Sequence, residues 1–132
     1  MMNCVLLADR HHGLSEGVRG LLETTFDKVF MVADQGSLME GAERLRPQVI
    51  VVDLSLAGGD SASFLRTLGE RAPSAKLLLL SVHDEPTVTS SLLTAGADGV
   101  VLTRSIATDL LPAIDAILAG QRFVSPAVAI SR

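Results

Sequence analysis

Four residues with reactive or ligating side chains stand where apolar runs stop. Asp9 follows the run 4–8, Asp53 follows 49–52, Ser81 follows 77–80 and Thr103 follows 99–102. A carboxylate at such a place can act as a nucleophile, a metal ligand or a simple loop cap. As a nucleophile toward a phosphoryl group it forms an acyl phosphate, a reaction catalysed mostly by positioning and charge neutralisation. That chemistry needs an exposed aspartate, a Mg²⁺ held by neighbouring carboxylates, and a hydroxyl and a cation for the phosphoryl oxygens. Asp53, Asp9 and Ser81 supply three of these parts.

The elements that would position them can be taken in chain order. Residues 49–53 (VIVVD) are apolar without alternation, which suits a strand buried on both faces, and Gly58 and Gly59 then start a turn. Residues 4–8 and 28–33 read as further strands before it, 76–81 and 99–102 as strands after it. Between them lie stripes at helical spacing: Leu14, Val18, Leu21 and Leu22; Leu38, Ala42 and Leu45, stopped by Pro47; Phe64, Leu65 and Leu68, ending before Pro73. A fourth helix spans about 86–95 with Gly96 as its cap. The fifth carries Leu110, Leu111, Ile114, Ile117 and Leu118, with Thr108 as expected N-cap, Pro112 early in the helix and Gly120 at its close. The tail 121–132 contains Pro126 and has no clear period.

Five strands alternating with five helices predict an α/β fold, a doubly wound parallel sheet with helices on both faces. The flavodoxin-like order 2-1-3-4-5 is expected, with its switch point between strands 1 and 3. Asp9 and Asp53 then face each other across one crevice, and Ser81 and Thr103 end strands on the same edge. The chain of 132 residues reads as one domain over 1–120, followed by a tail or the start of a linker over 121–132. No apolar run is long enough to span a bilayer, and no signal peptide is evident. The single cysteine, Cys4, fits a buried strand position and a reducing, cytoplasmic setting. A net charge of −4, no basic run and no Trp or Tyr argue against nucleic-acid binding by this segment.

A nucleotide site is disfavoured, because the turn Asp9-Arg10-His11-His12-Gly13 has neither glycine signature of phosphate-binding loops. A cobalamin-binding module of similar fold would carry D-x-H-x-x-G, which Asp9 and His11 begin but Leu14 breaks, and S-x-L, where Ala57 replaces the leucine after Ser55. The adjacent His11 and His12 read as a solvated loop. The stretches Leu6-Leu7-Ala8-Asp9-x-His11, Val52-Asp53-Leu54-Ser55-Leu56-x-Gly58, Leu80-Ser81-Val82-His83-Asp84, Ala95-Gly96-Ala97-Asp98-Gly99 and Gly120-x-Arg122-Phe123-Val124-Ser125-Pro126 run in register over essentially the whole chain. Together they resemble the response-regulator receiver domain that heads NarL/FixJ-type transcription factors, a CheY-like fold.

The resemblance implies that Asp53 is the phosphorylation position and Ser81 the switch hydroxyl. It implies that Asp9, Asp53 and the backbone carbonyl of Ser55 hold Mg²⁺. It further implies a sensor histidine kinase or a small-molecule phosphodonor, a helix-turn-helix output domain in any longer chain, a weak homodimer, and no membrane role. Departures from the family pattern accompany it. Arg10 replaces the second acid after strand 1, Thr103 replaces the lysine after strand 5, Val100 the aromatic switch residue and Ala57 a proline. Arg10 either pairs with Asp53 or points to solvent. In both cases a cation displaces a ligand, so Mg²⁺ binding is expected to be weak and phosphorylation impaired.

Overall fold

Apolar stretches that need cover on both sides become central strands. In the computed structural model, which describes residues 3–130, β1 (Cys4–Ala8), β3 (Val49–Asp53), β4 (Lys76–Ser81) and β5 (Gly99–Leu102) form the middle of a parallel sheet. β2 (Lys28–Val32) is half-buried and lies at one edge beside β1. The period of two along each strand splits the core into two layers. Leu6, Ala8, Ile50, Val52, Leu77, Leu79 and Val100 face one layer with α2 (Gln35–Leu45), α3 (Ser61–Arg71) and α4 (Pro86–Thr94). Val5, Leu7, Val49, Val51, Leu78, Leu80 and Val101 face the other with α1 (His12–Leu22) and α5 (Ile106–Leu118).

The expected order holds, with one correction: the described residues form a sheet of six strands, ordered β2-β1-β3-β4-β5-β6. The added strand is β6 (Phe123–Val124), parallel to β5 with Gly99 opposite Phe123 and Val100 opposite Val124. Two residues are too few to show an alternation, so the strand has no periodic signature in the sequence. Ser125 extends the pairing. Its N–H donates to the Val100 carbonyl at 3.0 Å, and its fully buried hydroxyl accepts the Leu102 N–H at 2.9 Å. A short helix, α6 (Pro126–Ile130), follows and packs by α4, with Val128 buried.

α5 also begins earlier than its sequence suggests. A 3₁₀ turn over Thr103–Ser105 leads directly into Ile106, and the Thr108 hydroxyl donates to the Ser105 carbonyl instead of capping the helix. Pro112 therefore lies mid-helix, on the exposed side, where the carbonyl it leaves unbonded can reach water. α2 and α3 carry the expected chemistry of helix starts: Asp34 accepts from Ser37 N–H at 2.7 Å and Asp60 from Ser63 N–H at 3.0 Å. Cys4 is buried, as expected of a strand residue, and burial pushes its thiol pKa up.

Candidate functional site

The switch point lies where the sequence places it. β1 and β3 are neighbours, and their carboxyl ends present Asp9 and Asp53 to one crevice. Asp53 has two roles at once. Its Oδ1 accepts the Ser55 N–H at 3.0 Å and so caps the 3₁₀ turn over Leu54–Ala57, while Oδ2 faces His11. The side chain remains slightly exposed at 13%. Asp9 is deeper. Its side chain is fully shielded from solvent, Oδ1 accepts the His11 N–H at 2.9 Å, and Oδ2 is buried without a hydrogen-bond partner among the described residues. Burial raises the Asp9 pKa, the neighbouring Asp53 charge raises it further, and the His11 N–H opposes both.

His11 is the residue that sequence reasoning assigned to solvent. Its ring is well exposed, yet Nδ1 stands 3.3 Å from Asp9 Oδ1 and 3.3 Å from Asp53 Oδ2. The placement follows from a local turn: an aspartate that accepts the N–H two residues on folds the chain back over its own carboxylate. The sequence signal was therefore an Asp-x-His at a strand end. The His12 side chain lies outside the described residues.

Arg10 pairs neither with Asp53 nor with bulk water alone. Its Nη2 donates to the Ser55 carbonyl at 3.3 Å, the oxygen that the receiver resemblance assigns to Mg²⁺. A guanidinium seeks carbonyl and carboxylate oxygens, and this one lies within reach across the crevice. Ser81 ends β4 opposite Leu102 of β5, so it and Thr103 share the sheet edge as expected. The Ser81 hydroxyl accepts the His83 N–H at 3.0 Å. His11, Asp53, Ser55, His83 and Thr103 line a cleft of about 310 Å³.

These donors do not match Mg²⁺. That ion takes oxygen ligands in near-octahedral geometry and usually keeps several waters. Here the carbonyl ligand is engaged by Arg10 and an imidazole stands between the two carboxylates. The set Asp9, His11 and Asp53, with ligand atoms within 4.8 Å of one another, is a mixed nitrogen–oxygen one.

Comparison with known proteins places this geometry in a family. Residues 5–115 match the response regulator receiver domain. The chain is 29% identical over 126 residues to the transcriptional regulatory protein DegU of Brevibacillus brevis, covering 94% of this chain and 53% of that protein. It is 28% identical over 129 residues to the transcriptional regulatory protein RcsB of Escherichia coli, covering 94% of this chain and 60% of that one. The chain thus spans little more than half the length of these relatives. Among solved structures, a LuxR-family two-component response regulator from an Aurantimonas species superposes with a TM-score of 0.87 at 29% identity, over 99% of this chain and 95% of that one.

Proposed function

The chain belongs to the response-regulator receiver family, and from that premise we propose that it is an atypical receiver whose acceptor is Asp53 and whose Mg²⁺-dependent phosphorylation is impaired. The observation that carries the proposal is the engagement of the Ser55 carbonyl by Arg10 beside an otherwise intact pair, Asp9 and Asp53. Asp53 Oδ2 faces the crevice and can accept a phosphoryl group. The metal that would neutralise the charge of the transfer lacks its second acid, and a guanidinium stands 3.3 Å from its carbonyl ligand. Thr103 brings a hydroxyl, not an ammonium, to the place where a phosphoryl oxygen would be bound.

The relatives are transcriptional regulators of which the match covers 53% and 60%, and this supports a signalling role in a longer protein. In that role the domain would receive phosphate from a sensor histidine kinase or a small-molecule donor in the cytoplasm. It would control a helix-turn-helix output through the α4–β5–α5 face or through weak dimerisation. It would not itself contact DNA or catalyse turnover of a substrate.

The test is mass spectrometry for one added phosphate after incubation with a small-molecule acyl phosphate, with Mg²⁺ binding followed by calorimetry. Wild type should take up little phosphate and respond little to Mg²⁺. Arg10→Asp should restore Mg²⁺ binding by returning an oxygen ligand and freeing the Ser55 carbonyl. Adding Thr103→Lys should restore phosphorylation, and Asp53→Asn in that double variant should abolish it. Wild type phosphorylated as fully as the double variant would show that Arg10 and Thr103 are not disabling. A folded double variant that stays inert would remove Asp53 from its assigned role.

A further inference from the structure

We propose that the Asp9–His11–Asp53 cluster is a site for a divalent cation that accepts imidazole, of the Zn²⁺ type, and that it discriminates against Mg²⁺. The inference deepens the receiver reading, since it concerns the same pocket, but it is tested by binding alone and stands or falls apart from phosphorylation at Asp53.

Geometry comes first. A tetrahedral ion with bonds of about 2.0–2.1 Å places its ligand atoms about 3.3–3.4 Å apart. An octahedral Mg²⁺ with bonds of about the same length places adjacent ligands about 2.9 Å apart. His11 Nδ1 lies 3.3 Å from one oxygen of Asp9 and 3.3 Å from one of Asp53, the wider spacing. All three ligand atoms fall within 4.8 Å of one another, so a small closing movement of the exposed His11 side chain brings them within reach of a single ion.

Chemistry points the same way. Imidazole suits zinc and its neighbours, whereas Mg²⁺ prefers carboxylate, carbonyl and water. The carbonyl that would favour Mg²⁺ is held by Arg10. Asp9 supplies an independent sign of a missing partner. Its side chain is fully buried, and Oδ2 has no hydrogen bond among the described residues. A shielded carboxylate oxygen in that state is costly, and a cation bound to the same carboxylate offsets the cost. The adjoining cleft of about 310 Å³ admits the ion and leaves room for water as a fourth ligand. Nδ1 already faces both carboxylates, and the exposed ring is not locked by core packing.

The experiment is calorimetric titration of chelator-treated protein with ZnCl₂ and, separately, MgCl₂ near neutral pH, with thermal unfolding alongside. One Zn²⁺ should bind at least about 100-fold more tightly than Mg²⁺ and should raise the unfolding temperature. His11→Asn should weaken Zn²⁺ binding by at least about tenfold and leave Mg²⁺ binding unchanged. Asp53→Asn should also weaken Zn²⁺ binding, and it carries the test if metal-free His11→Asn unfolds earlier than wild type. Zn²⁺ binding no tighter than Mg²⁺ would overturn the proposal. So would Zn²⁺ affinity untouched by both substitutions, which would place the ion elsewhere on the chain.

Discussion

Asp9 shows what a sequence can and cannot say about one side chain. Its position at the end of β1 was legible, because an apolar strand followed by an acid marks a sheet edge. Its burial was not, because depth depends on what the neighbouring strand and the following turn place above it. With its pKa raised by burial, folded Asp9 holds its proton more tightly than the unfolded chain does. The stability this gives is complete below the ordinary carboxylate pKa and is lost as pH rises through the raised one. Asp9→Asn should therefore stabilise the metal-free protein near neutral pH, by a margin that shrinks as pH falls through the carboxylate range. Urea unfolding at several pH values measures this, and a destabilised variant at neutral pH would contradict the burial argument. Arg10 and His11 were visible only as residue types. Which oxygen a flexible guanidinium reaches, and over which carboxylate an imidazole folds, is decided by turn geometry that no periodicity encodes.

Elements were easier to read where length gave the pattern room. The strands β1, β3, β4 and β5 follow from uninterrupted apolar runs, and the helices from their stripes. The start of α5 was obscured because a 3₁₀ turn feeds it without a capping side chain, and β6 because it is two residues long. The junction of β5 with its neighbours is tightly specified. A methyl group at Gly99 would lie 2.8 Å from Leu78 Cδ1 and 3.2 Å from Ile117 Cγ2, so Gly99→Ala should cost about 1–3 kcal/mol through overpacking. Ser125→Ala should cost a similar amount, about 1–3 kcal/mol, by leaving the buried Leu102 N–H without an acceptor. Denaturant midpoints of both variants check this, and a neutral Ser125→Ala would show that the hydroxyl is dispensable to β5.

For the molecule as a whole, the sequence conveyed a parallel doubly wound sheet and its switch point, and the family match agrees with that architecture. What it did not convey is how the sheet is finished on the side of β5. β2 borders the sheet with four half-buried residues and the exposed Lys28. The opposite margin would be β5, Gly99–Leu102, an apolar strand buried throughout. β6 and Ser125 cover that margin, pairing with Gly99 and Val100 and taking the Leu102 N–H. An uncovered apolar edge strand is a template for pairing with another chain, and a very short outer strand is one of the ways natural sheets blunt that hazard. By covering that margin, the dipeptide Phe123–Val124 should lower the tendency of the chain to aggregate. A chain ending at Gly120 should scatter light increasingly with concentration and time, while the 132-residue chain stays clear under the same conditions.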